Sequence, residues 1–333
     1  MLLKYLMVSC TAVVLGLGVA PPSEAAGNTS AAQSSSKKKV AKATQSKRIK
    51  QASIKKASRK SVAAAPRAPH EPDFDALGLP NVKSASVLVQ DQISGEVLFE
   101  RNSDAVVPIA SITKLMTGLI VVEAGLDMNE MLTVTDDDVD YVKHSSSRLK
   151  VGASLTRAQM LHIALMSSEN RAASALGRHF PGGLTSFVEA MNAKALQLGM
   201  TDTRYVDSSG LSSQNVSTAR DLAKLVMVAH QQPLLRQYST DPKSVVSTTN
   251  GRPMHFSNTN HFVANPAWDI GLQKTGFINE AGRCLVMQAM IQGRAVIMVF
   301  LDAKGKNGRT SDVGRMRKWI ESIQPAMATT STM

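Results

Sequence analysis

Three short motifs carry the groups needed to open an amide bond. Ser111-Ile112-Thr113-Lys114 sets a hydroxyl and an amine three residues apart, a spacing that puts both on one face of a helix. Ser168-Glu169-Asn170 adds a second hydroxyl and a carboxamide. Lys274-Thr275-Gly276 adds a second cation, a third hydroxyl and a glycine. A nucleophile, a proton acceptor and donors for a substrate are the parts of acyl transfer through a covalent intermediate.

Context decides which copies of these patterns count. Ser-x-x-Lys occurs six times, and four of these lie in a lysine-rich stretch where chance produces them. Ser-x-Asn occurs twice, at Ser168 and Ser213, and Lys-Thr-Gly once. Ser111 stands apart because it follows Pro108-Ile109-Ala110 and opens a run in which Leu115, Leu119 and Val122 recur at helical spacing. Read alone, Ser111 is a helix cap and Lys114 a solvated charge. A lysine inside a helix that is apolar on nearly every side is costly to bury without a partner, which favours the chemical reading.

With those motifs in place, the chain resembles the penicillin-binding serine D,D-peptidases of low molecular mass, most closely the periplasmic D-alanyl-D-alanine endopeptidases of Gram-negative bacteria. The likeness extends over Arg148-Leu149, Ala164 to Ala173, Asn215 to Leu222, Asn258-Thr259-Asn260-His261, Lys274 to Phe277 and Ala281 to Met287. It covers residues 75 to 325. The fold it implies is an α/β (α+β) plan like that of β-lactamases and transpeptidases: an antiparallel sheet, flanking helices and an inserted, mostly helical subdomain. The active site would lie between them.

The roles implied are these. Ser111 attacks the carbonyl of a D-alanine residue. Lys114 takes the serine proton, its pKa lowered by burial and by the charge of Lys274. Ser168 passes the proton to the leaving amine, and Asn170 holds the substrate amide. Lys274 and Thr275 orient a negative or polar substrate group, and Gly276 lets the substrate backbone pass close. The oxyanion rests on the N–H groups of Ser111 and Phe277. Many relatives carry Gly where this chain has Glu169. A carboxylate there is suited to attract a cationic amine such as that of diaminopimelate in a crosslink. Peptidoglycan peptides are the expected substrates and β-lactams the expected covalent inhibitors. A D-Ala-D-Ala carboxypeptidase is the nearest alternative. A secreted β-lactamase lacks support outside the second motif. A non-catalytic wall- or polyanion-binding protein is the alternative of another class.

The rest of the chain sets compartment and organisation. Residues 1–26 run from Lys4 through an apolar stretch, Tyr5 to Ala20, to Ser23-Glu24-Ala25-Ala26, which reads as an export signal. The protein is therefore expected in the periplasm, soluble or loosely attached to the envelope. Removing the signal leaves Cys284 as the one cysteine, expected as a buried, inert thiol.

The net charge of +12 sits in one place: residues 37–67 hold 12 Lys or Arg and no acid, leaving 26 basic against 26 acidic residues elsewhere. Residues 27–72 are accordingly expected to be a disordered basic linker. The arm 37–67 reads first as a solvated tether, with adhesion to anionic envelope polymers as the alternative, and an exported chain argues against nucleic acid.

Residues 73–325 then form the peptidase domain and 326–333 a tail. With the sequence ending soon after Trp319 to Ile323, neither an added β-rich domain nor an anchor helix is expected. Hairpins are expected at Val82–Asp91 with Gly95–Glu100 and at Cys284–Ile291 with Ala295–Asp302, and a closing helix at Thr310–Ile323. Capping boxes are expected at Thr156/Gln159 and Thr218/Asp221. The seven histidines show no metal-ligand spacing, and His255 and His261 are read as structural or substrate-side groups. No metal and no cofactor are expected.

Overall fold

The structure, a computed structural model, describes residues 72–248, 251 and 253–323. The export signal, the basic arm and the tail lie outside the described residues.

A five-stranded sheet holds the two ends of the domain together. Its strands are β1 (Ser84–Asp91), β2 (Val97–Arg101), β3 (Asp269–Ile278), β4 (Gly282–Ile291) and β5 (Arg294–Ala303). Their order is β2-β1-β5-β4-β3, and every neighbouring pair is antiparallel. The N-terminal hairpin and the C-terminal meander join through β1 and β5, from Ser84 opposite Ala303 to Asp91 opposite Val296. The strand that carries Lys274-Thr275-Gly276 is left at an edge, bonded to β4 alone within the sheet.

Both faces of the sheet are covered. Leu88, Val286, Ile297 and Val299 point into one core, while Val87, Val89, Met298 and Phe300 point into another. This explains why the strands read as nearly continuous apolar runs rather than strict alternation. The smaller core is closed by α7 (Gly308–Ile323) through Val313, Met316, Trp319 and Ile320. Asp312 fixes that helix to the start of β1 by accepting from Lys83 N at 2.7 Å and from Ser84 N and Oγ at 2.8 and 2.6 Å. Cys284 is buried, and burial pushes its thiol up to about 11.

The stretch between β2 and β3 is inserted, and helices are the longest regular elements among its described residues. The helices are α1 (Thr113–Glu123), α2 (Arg157–Met166), α3 (Asn170–Arg178), α4 (Gly183–Gln197), α5 (Ala219–His230) and α6 (Pro233–Thr240). The Thr156 box forms in full: Thr156 N donates to Gln159 Oε1 at 2.9 Å and Gln159 N to Thr156 Oγ1 at 3.1 Å. The Thr218 box forms by half. Asp221 N donates to Thr218 Oγ1 at 3.1 Å, but the Asp221 carboxylate instead accepts from Asp202 N and Thr203 Oγ1.

One close approach locks the insertion to the turn that carries Ser111. Gly210 has φ +78°, and a Cβ there would sit 2.0 Å from the carbonyl oxygen of Ala110. Gly78 has nearly the same φ, +76°, with nothing within 4 Å of a Cβ. Gly78→Ala should therefore show only the backbone cost, about 1–2 kcal/mol. Gly210→Ala should lose clearly more, since its neighbour is backbone; denaturant titration of the two variants compares them directly.

Candidate active site

Ser111 lies in a 3-10 turn, Ala110–Ile112, immediately before α1, rather than within the helix as its spacing suggested. The turn is anchored from both sides. Val107–Pro108 pairs with Val216–Ser217, and Ile109 N donates to Asn215 O at 3.1 Å. Asn215 Nδ2 donates to Thr113 Oγ1 at 3.0 Å, and Thr113 Oγ1 donates to Ala110 O at 2.8 Å. Ala110 itself is held at φ +49°, a strained position for a residue with a Cβ. Strain beside Ser111 is maintained by this network, which presents Ser111 half-exposed at the cleft.

Lys114 is 1 % exposed, on the inner side of that serine. Its Nζ donates to Ser111 Oγ at 2.9 Å, Asn170 Oδ1 at 2.7 Å and Ser209 O at 2.5 Å. Burial lowers its pKa to about 7, against the fields of Asp207 and Glu169, which raise it. Burial, not a neighbouring cation, is thus the main cause, which corrects the expectation that the Lys274 charge would share that work. The influence runs the other way: Lys274 is held well below its ordinary value by burial first, then by Lys114 and Arg309.

Lys274 is fully buried on β3 and donates to Ser168 Oγ at 2.9 Å and to Thr275 O at 2.9 Å. Ser168 stands between α2 and α3 at φ +62°. The site therefore holds two amine–hydroxyl pairs, Lys114 with Ser111 and Lys274 with Ser168. Asn170 opens α3, and besides accepting from Lys114 it donates to Ser145 Oγ at 3.0 Å. Thr275 Oγ1 donates to Thr259 Oγ1 at 2.7 Å. Phe277 is exposed, with its ring under the Arg283 guanidinium.

Gly276 has a different reason from the one its sequence position suggested. A Cβ there would lie 2.9 Å from Ile109 O and 3.1 Å from Ser111 N, so the protein's own reactive turn needs the space. Glu169 also departs from expectation. It is 6 % exposed, its Oε1 is buried without a hydrogen-bond partner, and it acts through space on Lys114 rather than offering a carboxylate to the cleft.

A pocket of about 290 Å³ opens over these groups, lined by Ser111, Ser145, Asn170, Leu211, Phe277 and their neighbours. Next to Thr275 a second pocket of about 200 Å³ is rimmed by His261, Arg283, Lys306 and Arg309, a lining that favours an anion. The motifs by themselves did not point to Ser145, Thr259, Arg309 or the Asp207–Ser212 loop. In that loop Asp207 accepts from Ser209 N, Gly210 N and Ser212 N at 2.6, 2.5 and 2.9 Å, so aiming the Ser209 carbonyl at Lys114. Its Asp-Ser-Ser-Gly sequence is a turn signal that was available. Arg309 NH1 donates to Gly276 O and Cys284 O at 2.9 and 3.1 Å, a contact made 33 residues away that no local pattern announces.

A family profile described as D-alanyl-D-alanine carboxypeptidase matches residues 73–305. The chain belongs to that family. With membership goes the enzyme class, a serine-type D-Ala-D-Ala peptidase. Among curated relatives, the D-alanyl-D-alanine endopeptidase of Pseudomonas aeruginosa is 49% identical over 251 residues, covering 74% of this chain and 81% of its own. The protein of the same name from Escherichia coli is 45% identical over 244 residues, covering 73% and 79%. Among solved structures, the Streptomyces K15 DD-transpeptidase superposes with a TM-score of 0.68 at 26% identity, over 73% of this chain and 99% of that one. The D-alanyl-D-alanine carboxypeptidase of Mycobacterium tuberculosis gives 0.66 at 28% identity, over 74% and 94%. The fold is accordingly the family's penicillin-binding fold.

The Lys114 amine should titrate near pH 7, in view of lysine side-chain Cε–Hε resonances. Glu169→Gln removes a negative field that favours the ammonium, so the midpoint should fall. A midpoint that stays put or rises in that variant would contradict the assigned electrostatics.

Proposed function

We propose that the protein is a D,D-endopeptidase that hydrolyses D-alanyl crosslinks of peptidoglycan through an acyl-enzyme on Ser111, in the periplasm. The observation that carries this reading is Lys114: a buried amine with a pKa of about 7 and 2.9 Å from the Ser111 hydroxyl. At neutral pH much of it is uncharged and can accept the serine proton, which an ordinary lysine near ~10.4 cannot do efficiently. The names of the relatives that match over most of the chain support the endopeptidase reading over the carboxypeptidase one.

Ser111 Oγ adds to the D-alanyl carbonyl carbon as its proton passes to Lys114. The oxyanion is held by the N–H groups of Ser111 and Phe277, which the closeness of Gly276 to Ser111 N brings within one cleft. Asn170 orients the substrate amide. Expulsion of the amine requires a proton; the Ser168 hydroxyl delivers it and is resupplied from Lys274. The substrate carboxylate lies on the Thr275 side, toward the basic pocket. Lys114 then passes the proton taken from Ser111 to solvent, from which Lys274 regains its own. Water enters and adds to the ester carbon as it loses a proton to Lys114, and Lys114 returns that proton to Ser111 Oγ as the ester C–O bond breaks. A β-lactam presents the same carbonyl chemistry and leaves a longer-lived ester.

Ser111→Ala should abolish covalent labelling by fluorescent penicillin; label that persists would remove Ser111 from its role. Lys114→Met should slow acylation by about 10²–10⁴-fold and erase the rise of rate with pH around 7. Mass spectrometry of purified crosslinked muropeptides should show dimers split to monomers, and loss of only a terminal D-Ala would mark a carboxypeptidase instead.

Beside a tether role, we propose for the basic stretch 37–67 adhesion to anionic envelope polymers, a reading supported by its charge alone. Deleting it should weaken retention on isolated envelopes at low salt and leave the muropeptide assay unchanged.

A further inference from the structure

The catalytic pocket is not closed by its own walls. Lys143, from the loop after Asp140, reaches across the cleft and forms an ion pair with Glu280 in the turn between β3 and β4. The two residues are 137 positions apart. Each end stands on a firm base. The Asp140 carboxylate accepts from Val142 N, Lys143 N and Ser145 N at 3.0, 2.8 and 2.9 Å, which fixes the loop as a bracket. The far end is a tight turn, with Ala281 N donating to Ile278 O at 3.2 Å and Gly282 at φ +60°. The pair itself is partly exposed, 28% and 44%, so salt and water screen it and it opens at little cost.

Behind this strap lies unused space. A cavity of about 380 Å³ adjoins the catalytic pocket, and Lys143, Asn170 and Leu211 line both. These three residues are common to both linings. Asn170 is held by Lys114 and Ser145, whereas Lys143 is a long flexible side chain secured at its tip by Glu280. The two spaces together exceed twice the volume of the catalytic pocket. A single peptide terminus needs only the first; a branched, crosslinked peptide needs more.

We propose that Lys143 is a specificity-determining residue: paired with Glu280 it divides the catalytic pocket from the adjoining cavity, and a crosslinked peptide displaces it to occupy both. In its application to crosslinks the proposal rests on the endopeptidase reading. The partition itself is a matter of size and holds for any bulky acyl group.

Glu280→Gln frees Lys143 without touching the reactive groups. The expected result is a change in selectivity. Acylation by a penicillin with no acyl side chain stays within about twofold of wild type. The ratio of crosslinked-dimer cleavage to that acylation rises by about threefold or more, and a penicillin with a bulky acyl side chain gains to a similar degree. The exchanged pair, Lys143→Glu with Glu280→Lys, returns both ratios toward wild type. Equal losses for small and bulky compounds in Glu280→Gln would overturn the proposal, because the strap would then only steady Ser145 and Asn170. Unchanged ratios would overturn it as well. Wild-type protein that labels with penicillin but leaves dimers intact would instead defeat the endopeptidase reading. The two penicillins would still decide whether Lys143 is the partition.

Discussion

The structure is organised around the removal of two lysine side chains from water. An isolated ammonium in an apolar interior is so unfavourable that the group either finds partners or gives up its proton. Lys114 does both. Three oxygens within 2.9 Å satisfy its donors, and burial brings its pKa to about 7. The fields of Asp207 and Glu169 oppose that fall, so the final value is a balance rather than a simple consequence of depth. Lys274, buried nearby, is pressed down further by Lys114 and Arg309. A fold that exposed either amine would return it to an ordinary charged lysine.

That requirement dictates much of the surrounding architecture. Lys114 is on α1, whose residues from Thr113 to Val121 are all buried, so the helix must be wrapped by others. Lys274 is on an edge strand, so one side of that strand stays free of sheet partners and can face the reactive turn. Two close backbone approaches bring the parts together. Gly276 lets β3 meet Ile109 and Ser111, and Gly210 lets the Asp207 loop press against Ala110. The positive φ of Ala110 sits at these same junctions and that of Ser168 at the contact with Lys274, where dense packing can hold a strained backbone.

Several elements were legible along the chain because their signals are local. The two hairpins at the domain ends, the apolar helix after Ser111 and the full Thr156 capping box depend on neighbours in sequence, and each formed. Where a signal needed a distant partner, the reading fell short. The Asp221 carboxylate turned to Asp202 and Thr203 instead of completing its box. Glu169 turned inward although its position in the motif suggested a cleft-facing charge. Gly276 made room for Ile109 and Ser111, groups more than 160 positions earlier in the chain.

The order of Ser111-x-x-Lys114, Ser168-x-Asn170 and Lys274-Thr275-Gly276, with the apolar context of Ser111 and the likeness beyond the motifs, pointed to the kind of chemistry and to the family, because residue identity is what acyl transfer demands. The contacts between distant parts of the chain were a different matter. That Lys274 holds Ser168, that Ser145, Ser209 and Arg309 complete the frame, and that Lys143 spans the cleft to Glu280 were settled only by tertiary structure. The physical reason is that burial and field strength belong to a place in the folded molecule. No stretch of sequence carries them until the sheet and the insertion have closed around it.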